Sequence, residues 1–124
     1  MLKEIRLYGT TAADGSLTVN AVESMLGEIV AIAWVDGTFD NNVTAVISTQ
    51  GSEASQTIMS IGAAEGDDDL VFYPRHIIYD EGADVLTGTA GGDRALPLAV
   101  GTLRMVVAAG GNAKSGGCVV YFRE

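Results

Sequence analysis

Cysteine is nearly missing from this chain of 124 residues: Cys118 stands alone, so no disulfide forms within it. Val119 and Val120 follow it, which marks it as a small buried hydrophobe rather than a reactive thiol. Histidine is just as scarce. His76 has no second imidazole with which to share a metal and no identifiable partners for a Ser-His-Asp arrangement. Basic residues are few and scattered, 7 Lys and Arg against 16 Asp and Glu, for a formal net charge of −9. Such a surface repels phosphate backbones, so nucleic acid is not expected as a partner. Long apolar runs are also lacking. The longest, Met25–Val35, is broken by Glu28 and is too short to cross a bilayer, so a membrane is not expected either. Residues Met1–Gly9 lack the apolar core and small-residue cleavage site of a signal peptide, which predicts synthesis in the cytoplasm.

What is present is a chain that is 48% hydrophobic, its apolar residues in short runs separated by Gly, Asp, Asn and Ser. That pattern predicts many short strands in one domain, 1–124. A chain of this length buries roughly two-thirds of its unfolded surface, so neither metal nor cofactor is needed for stability.

The C-terminal part shows the pattern best. Leu103–Ala109 and Cys118–Phe122 each carry an apolar row with a period of two, and Gly110–Gly117 between them is rich in turn residues. A C-terminal β-hairpin is expected. At the other end, Lys3–Gly9 and Ser16–Val22 alternate around the Asp14–Gly15 turn signal and predict a first hairpin. Asn20–Val35 is ambiguous. Asn20 with Glu23 resembles a capping box, and Val22, Leu26, Ile29 and Ala33 have helical spacing. Gly27 and the β-formers Ile29, Val30, Ile32, Trp34 and Val35 favour a strand from about Gly27 to Asp36, central because both faces are apolar. Further strands are expected at Val43–Thr49, Gln56–Ile61, Leu70–Tyr73, His76–Tyr79 and Ala95–Val100, with Pro74 and Pro97 marking edges. The count, eight to ten short strands, suits an antiparallel β-sandwich or a jelly-roll-like barrel.

Chemical motifs are weak. Gly110–Ser115 (GGNAKS) brings Lys114 and Ser115 after glycines, but the phosphate-loop spacing is wrong and a strand follows, not a helix. Asp67, Asp68 and Asp69 offer oxygens without the spacing of a calcium loop, so they read as a solvated loop. Neither catalytic nor metal-binding residues are assigned. Trp34, in the most apolar run, is expected in the core or at a subunit contact. Phe39 and Tyr73, beside turn and proline signals, are expected to be exposed contacts.

The Trp34-Val35-Asp36-Gly37 turn, Phe72-Tyr73-Pro74-Arg75, Gly110–Cys118, and the start Lys3-Glu4-Ile5 leading to Gly9-Thr10-Thr11 and Asp14-Gly15 resemble small virion proteins of tailed bacteriophages. These are of the capsid decoration, or head cement, type. The resemblance implies a structural, non-enzymatic protein that binds the outer surface of the major capsid protein lattice and stabilises the head. It also implies self-association as a homotrimer and a place on the virion. The alternative is a phage surface or tail adhesin, or a carbohydrate-binding module. The expected interface residues lie on turn tips and edges: Phe39 and Asn41 in the loop Thr38–Asn42, Tyr73 and Arg75 at the proline corner, and Asn112 and Lys114 in the connector.

Overall fold

The computed structural model describes residues 2–51, 55–77 and 94–124. In chain order the strands are β1 (Leu2–Thr10), β2 (Leu17–Val35), β3 (Thr44–Gln50), β4 (Ser55–Ile61), β5 (Leu70–Phe72), β6 (His76–Ile77), β7 (Arg94–Ala95), β8 (Leu98–Ala108) and β9 (Ser115–Arg123). Among the described residues the chain is all-β. Seven antiparallel strands make one open sheet in the order β1-β9-β2-β8-β3-β4, with β5 also on β2. Strands β6 and β7 pair separately, and among the described residues the one helical piece is a 3₁₀ turn, Glu65–Asp67.

Strand β2 organises this sheet. It runs 19 residues without a break, longer than the segment from Gly27 that its β-formers suggest. Its first part, Leu17–Glu28, pairs with β8, and its second, Glu28–Val35, pairs with β9. Residues Ile32–Trp34 also pair with β5 along the other edge. Two bulges interrupt the ladders, one between Asn20 and Ser24 on the β8 side and one between Ile29 and Ala31 on the β9 side. The second bulge resets the alternation: Met25 and Ile29 are buried before it, Ile32 and Trp34 after it. That phase change is why the sequence shows apolar residues on both faces here.

Both ends of β2 return to one place. Gly15, just before Leu17, accepts a hydrogen bond from the Gly110 amide at 3.0 Å. Just after Val35, the Thr38 amide donates to the Ser115 carbonyl at 2.8 Å and the Asp40 amide to the Gly110 carbonyl at 3.0 Å. A straight strand of this length would hold its ends about 60 Å apart, so β2 is bent. Next to Gly27 the partner changes from β8 to β9. A Cβ on Gly27 would press on the Arg123 carbonyl oxygen and lie 3.1 Å from the Phe122 ring. The crossing of β2 and β9 therefore needs glycine there.

Most strands predicted from the sequence are present, but Ser16–Val22 and Gly27–Asp36 are parts of one strand, β2, the expected strand Ala95–Val100 is interrupted at Leu96–Pro97 between β7 and β8, and two pairings differ. Strands β8 and β9 form no hairpin, because β2 lies between them and takes a ladder from each. The first hairpin is corrected too: the ladder of β1 is with β9, from Leu2 opposite Arg123 to Thr10 opposite Ser115. Only the turn survives, with the Ala12 amide donating to the Ser16 carbonyl at 2.9 Å. Nor are all strands short, since β8 has 11 residues. Pro97 is buried, and its carbonyl accepts the Ile29 amide at 2.9 Å, so it tethers β2 rather than blunting an edge. The glycine-rich stretch Asp80–Asp93, which reads as a loop, and the end of the expected strand at Tyr79 lie outside the described residues.

One apolar cluster gathers Leu7, Ile29, Ile32, Trp34, Ile47, Leu103, Met105, Val107 and Val120, all essentially inaccessible to solvent. Cys118 lies in it, and burial pushes its thiol pKa up to about 12. Replacing Gly27 by Ala is expected to destabilise the fold by about 1–3 kcal/mol through overpacking against β9. Val22→Ala, at a side chain 101% exposed, should change stability by less than about 0.5 kcal/mol. Urea titration of the two variants checks both.

Candidate protein-contact surface

The connector Gly110–Ser115 is stitched to its neighbours rather than projecting freely. Thr11, nearly buried, donates its hydroxyl to the Gly111 carbonyl and accepts the Lys114 amide at 2.9 Å. The Thr11 amide in turn donates to the Lys114 carbonyl at 2.8 Å. Thr38 repeats this device on Ser115: its hydroxyl accepts the Ser115 amide at 2.8 Å while its own amide donates to the Ser115 carbonyl. The compact path demands left-handed backbone at Ala109 and Ala113, with φ of 59° and 55°, so alanines as well as glycines reverse this chain. Gly37, φ 57°, makes the Asp36–Gly37 turn where a Cβ would collide with the Ser115 carbonyl oxygen.

On this scaffold Asn112 is exposed at the connector tip, and Lys114 is half-buried with its backbone held by Thr11. Asn41 is exposed on the adjoining loop. The structure thus brings Asn41, Asn112 and Lys114 to one end of the molecule. Tyr73, 64% exposed, and Arg75 lie elsewhere. The Arg75 guanidinium donates to the Pro74 carbonyl at 2.7 Å and reaches the Val30 carbonyl at 3.5 Å. Val30 is six residues before Asp36, about 20 Å of extended strand from the loops.

Phe39 corrects the sequence reading. It is 5% exposed and stacks on Trp34 at 5.6 Å between ring centroids. The Trp34 indole N–H donates to the Gly66 carbonyl at 3.0 Å, which places Trp34 in the core. Phe39 follows a tight turn, but the turn folds it inward onto the indole, where both rings leave water together.

The aspartates after Gly66 carry a role the sequence did not reveal. Asp69 accepts the Asp36 amide at 2.8 Å, and Asp67 accepts the Asn42 amide at 2.6 Å. They secure two turns with side-chain oxygens. Among the described residues no group of three acidic, His or Cys side chains is arranged to hold a metal ion. One oxygen of Asp36 is buried without a hydrogen-bond partner. Burial, with the nearby carboxylates of Asp67, Asp69 and Asp68 behind it, raises the Asp36 pKa above its ordinary 3.8. Asp14 goes the other way. Its carboxylate accepts the Ser16 hydroxyl at 2.7 Å and the Ser16 amide at 3.0 Å, which lowers its pKa.

Sequence reasoning missed the outer face of β2 and β8. Leu26 and Val100 stand opposite each other in the ladder, 64% and 55% exposed, and Leu98 beside them is 54% exposed. Val22 projects from the nearby bulge. Cross-strand registration, which brings Leu26 to Val100 from 74 positions away, leaves no local signature. Compared with protein-family models, with curated proteins and with solved structures, the chain matches none.

Two outcomes follow. Thr11→Val keeps the shape but leaves the Lys114 amide without its acceptor, and should cost about 1–3 kcal/mol by chemical denaturation. Asp36→Asn should raise the melting temperature at neutral pH. A carboxyl with a raised native pKa destabilises the fold as it ionises, so the wild type gains stability as pH falls through that pKa. The advantage of the variant should therefore shrink towards pH 4, as melting curves across pH will show. The contribution of Asp14, of opposite sign, is lost at lower pH still.

Proposed function

We propose that the chain is a structural virion protein of the capsid decoration type, which binds the outer surface of the major capsid protein lattice and stabilises the head. The observation that carries this reading is the apolar outer face of β2 and β8, with Leu26 against Val100 and Leu98 beside them. Exposed apolar side chains held together on a sheet serve protein contact. Adding apolar area at roughly 25 cal/mol per Å² before association costs, and repeating it over several copies, turns weak single contacts into firm lattice binding. The resemblance in the turns and strand ends supports the same reading. Self-association as a trimer would supply the multivalency.

The finer architecture belongs to this proposal. The open sheet closes into a sandwich or a jelly-roll-like barrel, its two layers being the halves of β2 with their partners. The return of both ends of β2 to the Gly110–Ser115 connector supports this. So does the contact of Gly9 with the side chains of Leu17 and Val19, made without a β1–β2 ladder. The alternative, an adhesin that stacks exposed aromatics on glycans, loses Phe39 to the core and keeps Tyr73.

Mixing the purified protein with expanded heads of the parent particle lacking it should give cosedimentation and a higher rupture temperature. Leu26→Lys with Val100→Lys, both at exposed positions, should abolish binding without lowering the melting temperature of the protein. Heads that neither bind the wild type nor gain heat resistance would overturn the reading.

A further inference from the structure

Among the described residues, two strand edges face each other across a cleft and no strand pairs between them. In the same residues β1 has one ladder, with β9. The first part of β2 pairs along one edge with β8, while β9 covers the other edge only from Glu28 onward. The turn Ala12–Ser16 holds the two strands together at one end, and Gly9 lies against Leu17 and Val19. Beyond that point they part. The resulting groove, of about 1000 Å³, runs between Lys3–Arg6 of β1 and Asn20–Glu28 of β2. Ile5, Met25 and Phe122 contribute its apolar lining. In an antiparallel strand every second residue points its N–H and C=O away from its partner, so β1 turns toward the groove donors and acceptors that no strand among the described residues takes up.

The charges indicate what fits. Each basic residue on the groove is already engaged. Lys3 pairs with Glu124 at 2.5 Å, Arg123 lies 4.0 Å from Glu28, and the Arg6 guanidinium sits 4.7 Å over the Tyr8 ring. Glu4 and Glu23 line the same groove and make no ion pair among the described residues. The side chains lining the groove thus carry four carboxylates, Glu4, Glu23, Glu28 and Glu124, against three basic groups, Lys3, Arg6 and Arg123, a net of −1 beside an apolar slot and a strand edge.

We propose that this groove takes an extended segment of another polypeptide, about four to six residues with apolar and basic side chains alternating, added as a strand on β1. Main-chain hydrogen bonds to the edge supply affinity, and the alternating side chains supply selectivity. The apolar ones enter the slot over Ile5, Met25 and Phe122, and the basic ones meet Glu4 and Glu23. The exposed charges of β1 itself, Lys3, Glu4 and Arg6, discourage indiscriminate edge pairing. Leu26 and Leu98, which carry the capsid reading, also line this groove, but the peptide test uses no capsid, so its failure and the failure of that reading are told apart.

The test uses the whole chain and three synthetic hexapeptides: alternating valine and lysine, alternating valine and glutamate, and the first with a central proline. Nuclear magnetic resonance should show the valine–lysine peptide binding and slowing amide exchange within Lys3–Arg6. The proline and glutamate peptides should not bind, and Glu4→Lys with Glu23→Lys should weaken binding about tenfold. Equal binding of the lysine and glutamate peptides, or exchange protection confined to other strands, would overturn the proposal. So would a dimer whose Lys3–Arg6 amides are protected before any peptide is added, because the occupant would then be a second copy.

Discussion

Backbone hydrogen bonding along β2 is the constraint on which this fold rests. Where a strand of 19 residues runs through an apolar cluster its amides and carbonyls need partners, while its exposed stretch can leave one edge to solvent. No single partner meets that need. Strand β8 serves the first part and β9 the second, and Glu28 touches both ladders. Once β2 has taken a ladder from each, β8 and β9 cannot pair with one another, and β1 is left to β9. The connector Gly110–Ser115 then has to pass from one side of β2 to the other, which explains why it is held by Thr11, Gly15, Thr38 and Asp40 rather than by a hairpin turn.

Much of this was legible and much was not, for physical reasons. Alternation of side chains reveals a strand and its buried face, so the expected bounds of β1, β3 and β4 lie close to the true ones, while β8 begins five residues before the expected Leu103 and β9 three before the expected Cys118. Alternation does not say which strand lies alongside, because pairing depends on residues far apart in the chain. At Ile29–Ala31 the bulge even hid the alternation, and the two apolar faces were rightly taken to mean a central strand. Gly27 argues against a helix in the sequence, and in the fold it lets β2 lie close against β9.

The candidate surface divides in the same way. Asn41, Asn112 and Tyr73 sit on loops or beside a proline, and local signals located them in solvent. Phe39 had the same local signals and lies in the core, since what decided its place was Trp34 nearby in space. Asp67 and Asp69 looked like a solvated run until their partners, the amides of Asn42 and Asp36, were known. The Leu26–Val100 pair and the groove beside β1 are products of topology, and no stretch of sequence contains either one.

The pairing of β1 with β9 also bears on how this molecule comes into being. A ribosome releases Leu2–Thr10 before Ser115–Arg123, so β1 waits for β9 before its ladder can form. Half of β2 waits as well. The nascent chain therefore holds apolar strands uncovered until β9 has been made. Folding dominated by such distant closures is intrinsically slow, and that delay is when chaperones, or a misplaced neighbour, would have their opportunity.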